Sequence, residues 1–249
     1  MISYILTFGA VIFGYFLASV YTPKNKKSVK LLLSFSGAFL LSLTVLHLLP
    51  DLYNQQNLTK GFAPGTMHAH VHDPIGIYIM IGILFQIILE YFSRGAEHGH
   101  VHKGEHHSHE SAEHIPWLLF FSLCIHALLE GFPIYQNPSL AYGIAIHHLP
   151  IAIILTLFFK NAGLKPKYIA GFMIAFALMT PLGTFFANYV TGLQRISREL
   201  TAIVIGILFH ISATIIFESN EGHKFNLAKL SAIVIGFVLA FVVENFHTH

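Results

Sequence analysis

"IPWLLFFSLCIHALLEGFPIY", residues 115–135, decides how the chain is read. As a helix rising about 1.5 Å per residue it would cross a hydrocarbon core of about 30 Å, and only His126 and Glu130 interrupt its apolar run. Seven other stretches have comparable length and character: 3–21, 30–50, 75–93, 139–159, 168–190, 200–218 and 228–246. Across all 249 residues, 54% are hydrophobic and 10% charged, where a soluble domain carries about 25% charged residues. The expectation is an all-α membrane protein of eight transmembrane helices, forming one domain over 1–249. A transmembrane barrel is disfavoured because barrel strands alternate polar and apolar residues, whereas these runs are continuous. The first stretch reads as a retained helix, since it lacks a preceding basic segment and an obvious small-residue cleavage site. Cys124 is the only cysteine, so no intrachain disulfide forms.

Eight spans sort the connections into two faces of unequal charge. One face holds Lys24, Lys26, Lys27, Lys30, Arg94, Lys103, Lys160, Lys165, Lys167, Lys224 and Lys229; the other holds only Lys60, Arg195 and Arg198. Cytoplasmic connections collect Lys and Arg, so the richer face is predicted to be cytoplasmic and both termini extracytoplasmic. The expected location is the cell membrane, the inner membrane in a bacterium, with lipid and metal ions as partners and a homodimer as a candidate assembly.

Histidine is the unusual component. The connection "AEHGHVHKGEHHSHESAEH", within a cytoplasmic loop set at 95–114, carries seven histidines from His98 to His114, including His100, His102, His106, His107 and His109. A second cluster, "MHAHVHD" at 67–73, offers His68, His70 and His72 on the opposite face. Neutral imidazoles at this density suit Zn²⁺, Ni²⁺ or Cu²⁺, the alternative being solvated polar linkers.

Five histidines remain inside spans: His47, His126, His147, His148 and His210. Ionisable groups in a bilayer cost about 3 kcal/mol or more by insertion scales and usually face an interior partner or water. With its span running outward to 135, His126 lies about 14 Å below the outer end, and His147, entering from 139, about 12 Å. The short "YQNPSL" connection makes these two spans antiparallel neighbours. Glu130 shares a helix face with His126, one turn away. Two imidazoles and one carboxylate therefore converge as a His₂Glu set with room for a further ligand, which suits a divalent metal. His148 is rotated about 100° from His147 and faces the edge of the same cavity. Pro133, Pro150 and Pro181 each break a helical hydrogen bond, Pro150 leaving the Ile146 carbonyl without its usual partner. For His47 and His210, a packing role between helices competes with a place on an ion path.

These residues, in this order, resemble the ZIP family of divalent metal transporters over nearly the whole chain. "GAFLLSLTVLHLLPD" (37–51) is similar to the family's second-helix ending, "HALLEG" (126–131) to its His-x-x-x-acid-Gly element, "IHHLP" (146–150) to its paired-polar-x-Pro element and "TPLG" (180–183) to its Glu-Pro-x-Gly. The resemblance implies that His126, Glu130 and His147 ligate the transported ion, with His148 beside them and His47, Asp51 and His210 as candidates for the entrance or pathway. It implies movement of Zn²⁺ first, with iron, manganese and cadmium as alternatives, toward the cytoplasm. Departures from the pattern are specific. Ala127 stands where Asn is common, Ile151 where a bridging acid or His is expected, Thr180 where Glu precedes the proline, and His148 where an acid is usual. A one-metal site is expected.

Two other readings stay open on sequence alone. An intramembrane zinc hydrolase would use the same ligands but lacks an obvious general base once Glu130 is a ligand. A metal sensor would bind through the His-rich loops without flux. No phosphate-binding loop argues for ATP-driven pumping, and no nucleic-acid module is present.

Overall fold

The computed structural model describes residues 1–20, 26–59, 74–93, 117–218 and 227–247. The histidines of 67–73 and of the 95–114 loop, including His68, His70, His72, His98, His100, His102, His106, His107 and His109, lie outside the described residues.

Every described element is helical. α1 runs Ile2–Val20, α2 Lys26–Leu43, a π-helical turn Thr44–Leu48, and α3 Leu49–Thr59 continues the same rod. α4 follows at Ile75–Ser93, α5 at Trp117–Gln136, α6 at Leu140–Asn161, α7 at Pro166–Tyr189, the short α8 at Thr191–Arg195, α9 at Ser197–Glu218 and α10 at Leu227–His247. Five stretches, Ile2–Val20, Lys30–Asn54, Leu140–Asn161, Pro166–Tyr189 and Ser197–Phe217, are long and apolar enough to cross a membrane, and Ile75–Tyr91 and Leu227–Val243 are shorter apolar helices. The chain is a multi-pass membrane protein. Large apolar residues exposed along α4 (Met80, Leu84, Ile88) and α10 (Val234, Val238, Phe241) meet lipid rather than water.

Local chemistry places the helix boundaries. Pro166 occupies the first turn of α7, where a missing N–H costs nothing. α6 ends at Gly163, whose φ of +75° suits only glycine at low cost. There the Leu164 N–H reaches back to the Phe159 carbonyl at 3.2 Å. At the π turn, the Leu49 N–H bonds the Thr44 carbonyl five residues back. Pro50 follows directly and has no N–H to offer the Leu46 carbonyl, so the regular ladder is broken at this point.

Packing divides the helices into two groups. α1, α5, α6 and α7 share a core that includes Val11, Phe120, Ala127, Phe159, Met173 and Phe176. α2, α3, α4 and α9 share another, with Leu40, Leu52, Ile75, Ile205 and Leu208, which takes in Ile134 and Leu140 from the facing ends of α5 and α6. α10 closes on α2, where a Cβ on Gly236 would meet the Phe35 carbonyl at 2.6 Å. Between apolar helices in lipid there is little hydrophobic drive, so small residues and close backbone approach carry association. Gly183 of α7 faces the Leu128 carbonyl of α5 so closely that a Cβ would collide with it. Gly82 of α4 and Gly206 of α9 sit as tightly against one another's helices. Lys160 donates to the Ala18 carbonyl at 2.7 Å, which satisfies the open end of α1.

The abundant phenylalanines divide between exposed and interior positions. Phe13, Phe16, Phe121 and Phe217 are exposed, but Phe120, Phe159, Phe172 and Phe176 fill the space between α5, α6 and α7. Ring centroids 5.0 Å apart for Phe120 and Phe172, and 5.2 Å for Phe159 and Phe172, make this an aromatic core beside the polar site.

Candidate metal centre

α5 delivers His126 and Glu130 to one face through their four-residue spacing, and α6 delivers His147 and His148 against them. The connecting turn, 137–139, is short enough to hold the two helices antiparallel; the Leu140 N–H bonds the Asn137 carbonyl at 3.1 Å. All four side chains are buried, Glu130, His147 and His148 completely.

The contacts radiate from the Glu130 carboxylate. Oε1 lies 3.1 Å from His126 Nε2 and 3.7 Å from His147 Nε2. Oε2 lies 2.7 Å from His148 Nε2, which donates its N–H to it. One ligand atom from each of His126, Glu130 and His147 lies within 4.8 Å of the other two. Neither Glu130 Oε1 nor His147 Nε2 makes a hydrogen bond among the described residues. Buried polar atoms normally do, so two aimed at one point are arranged for something other than each other. A first-row divalent ion, which takes imidazole nitrogen and carboxylate oxygen at about 2.0–2.2 Å, fits that description. His148 holds Oε2, which leaves Oε1 turned toward His126 and His147. His148 therefore orients the carboxylate from behind, with its ring 5.9 Å from that of Phe176.

The neighbouring positions offer no second set of ligands. Ala127 is fully buried between helices, and the Thr180 hydroxyl donates to its carbonyl at 2.9 Å. Thr184 repeats this one turn on, donating to the Gly131 carbonyl at 2.9 Å. Ile151 packs into the apolar core with Phe120 and Phe159. Helix-to-helix hydrogen bonds close the α5–α7 seam beside the site.

The remaining candidates lie elsewhere. His47, in the π turn, is 3.6 Å from Asp51. Asn137 bridges them, its Nδ2 2.7 Å from His47 Nε2 and donating to Asp51 Oδ2 at 2.9 Å. His210 of α9 is 2.6 Å from Glu90 of α4 and is not brought into the His126–Glu130–His147 set. Three polar partners escaped the sequence reading. Asn137 is an unremarkable turn residue, Glu90 looks like a span-end acid, and Ser36, 2.9 Å from His147 Nδ1, is one of many small hydroxyl residues in the helices.

Fold and site together define a multi-pass helical membrane protein with a buried group of two histidines and one carboxylate that could hold a metal ion. No family model matches the chain. Individual curated proteins do. The chain is 22% identical over 254 residues to zinc transporter ZIP1 of Danio rerio, covering 88% of this chain and 83% of that one. It is 23% identical over 258 residues to zinc transporter ZIP1 of Bos taurus, covering 88% and 78%. Over 214 residues it is 23% identical to zinc transporter ZIP9-B of Xenopus laevis, covering 73% and 68%. The chain is a distant relative of the ZIP family.

Proposed function

We propose that this protein carries a divalent transition metal, zinc in the first place, across the cell membrane toward the cytoplasm through one metal site on α5 and α6. The observation that carries the reading is the convergence of His126 Nε2, Glu130 Oε1 and His147 Nε2 in a buried position on long apolar helices. The names of its relatives, all zinc transporters, support the same reading. In this proposal the chain crosses the membrane eight times, with both termini outside, as the Lys and Arg distribution favours. His126, Glu130 and His147 strip and hold the ion, and His148 orients the carboxylate. His47 and Asp51 line the entrance, and the histidines of 67–73 and 95–114 collect metal on either side. A fixed hydrolytic role is less well supported, since Glu130 is the only fully buried carboxylate among the described residues and would already be a ligand.

A site with two imidazoles and one carboxylate prefers Zn²⁺, which accepts nitrogen ligands, over the harder Mn²⁺. Sealed vesicles containing the purified protein should accumulate Zn²⁺, and His126→Ala and His147→Ala vesicles should not. Full uptake by either variant would reject the site, and Mn²⁺ outcompeting Zn²⁺ at equal free concentration would reject the preference.

A further inference from the structure

The ligands named so far all come from α5 and α6, but one contact to them arrives from the other helix group. Ser36 of α2 lies with its Oγ 2.9 Å from Nδ1 of His147, and both side chains are buried. We propose that Ser36 is a positioning residue for the metal site: its hydroxyl accepts the Nδ1–H of His147, directs the Nε2 lone pair at the ion, and makes metal affinity depend on the register of α2 against α6. The proposal rests on the reading of His147 as a ligand and adds what controls that ligand.

An imidazole has one lone pair to give when neutral, and the ring must present it on the side of the metal. If Nε2 is to bind, the proton must sit on Nδ1. A buried N–H without an acceptor is costly, so something must accept it. Water is not the natural candidate at a fully enclosed ring, and Ser36 Oγ is already at hydrogen-bond distance. The far nitrogen, Nε2, makes no hydrogen bond and lies 3.7 Å from Glu130 Oε1. The ring is thus held from behind and left available in front. A hydroxyl suits this position because it both donates and accepts. It can stay bonded to Nδ1 in whichever tautomer the metal-free ring adopts, then accept when the ion claims Nε2.

The contact is also built into the helix seam rather than made by a mobile surface group. Two turns along α2 from Ser36, the Leu43 side chain presses on Gly143 of α6, one turn from His147. A Cβ on Gly143 would come within 2.3 Å of Leu43 Cδ2, so α2 and α6 are fitted closely at the same stretch. α2 otherwise packs on α9 and α10. An N–H···O bond weakens steeply beyond about 3.2 Å, so sliding α2 by roughly 1 Å along α6 would release Nδ1 and with it the fixed ring. The affinity of the site is then conditional on where the other helix group stands.

The test uses full-length protein in lipid nanodiscs and Zn²⁺ alone as probe, titrated against a chelator of known affinity. Loss of a partner behind a metal-ligating histidine typically weakens binding about 10–100-fold, and that is the expectation for Ser36→Ala. Ser36→Thr, which keeps the hydroxyl, should bind within about threefold of the parent, a difference of only about 0.7 kcal/mol. Nitrogen-15 spectra of the histidines supply a readout that a merely structural role would not move. In the Zn²⁺-loaded parent, His147 should show a protonated Nδ1, with the signal shifted in Ser36→Ala and restored in Ser36→Thr. Parent-like affinity in Ser36→Ala, with His147→Ala unable to bind, overturns the positioning role and leaves the ligand set standing. Parent-like affinity in His147→Ala overturns both. Should Ser36→Ala fail to fold, an unprotonated Nδ1 on His147 in the loaded parent protein overturns the proposal by itself.

Discussion

Glu130→Gln isolates the charge of the site from its shape. The carboxylate is fully buried, its Oε1 faces two imidazoles at 3.1 and 3.7 Å and its Oε2 a third at 2.7 Å. Glutamine keeps the volume and one oxygen but removes the negative charge that a divalent ion would meet. Removing one member of a buried charged pair costs about 3–5 kcal/mol, and the lower bound corresponds to about a hundredfold in affinity. At a Zn²⁺ concentration a hundredfold above the parent dissociation constant, linkage stabilises the folded protein by about 2.7 kcal/mol. The same concentration would only match the variant's dissociation constant, where linkage gives about 0.4 kcal/mol. A second effect competes, because the amide places an N–H₂ or a weaker acceptor against His148 Nε2 and lowers metal-free stability by about 1–2 kcal/mol. The quantity to measure is therefore the Zn²⁺-induced shift in unfolding midpoint, variant against parent, and not the midpoint itself. A Glu130→Gln protein that keeps the full Zn²⁺-induced shift would refute the reasoning.

Three further outcomes are expected. Gly183→Ala must move α7 off the Leu128 carbonyl, so it should lower the unfolding midpoint by an overpacking cost of about 1–3 kcal/mol, measured by thermal unfolding in detergent. His210→Gln should lose about 1–3 kcal/mol of stability by breaking its contact with Glu90 while leaving Zn²⁺ affinity unchanged, which separates this pair from the site. Protons and metal compete for the same imidazole nitrogens, so Zn²⁺ affinity should fall as the medium is made more acidic, in a titration from neutral pH downward; an affinity that rises in acid would contradict the ligand assignment.

Five of the apolar stretches of the sequence recur as helices long and apolar enough to cross a membrane and two more as shorter apolar helices, because length and apolar content in a membrane leave the backbone little choice but to satisfy itself. Helix ends were less legible. α2 begins at Lys26, in a segment whose lysines hide it from an apolar count, ahead of the apolar span that starts at Lys30. Depth counting brought His126, Glu130 and His147 together correctly because the connection between their helices is only three residues long and fixes relative height. The same method could not pair His210 with Glu90. α4 and α9 are far apart in sequence, and their partnership is set by Gly82 and Gly206, whose close approach has no signature in hydropathy. Asn137 was hidden for another reason: its bonds to His47 and Asp51 depend on the π turn, an extra residue per turn that periodicity arguments do not anticipate.

The single carboxylate of the site has an electrical consequence. In the proposed loaded state, one ionised Glu130 and neutral imidazoles around a divalent ion would leave one positive charge uncompensated inside the protein. A transmembrane voltage acts on such a charge with about 2.3 kcal/mol per 100 mV for a full crossing, in proportion to the fraction of the field traversed. A negative cell interior would draw the loaded site inward, and an emptied site that keeps its carboxylate ionised, carrying the opposite sign, would be driven back. If the proposed site carries the ion, one acid in place of two would let the membrane's own voltage favour both halves of a transport cycle.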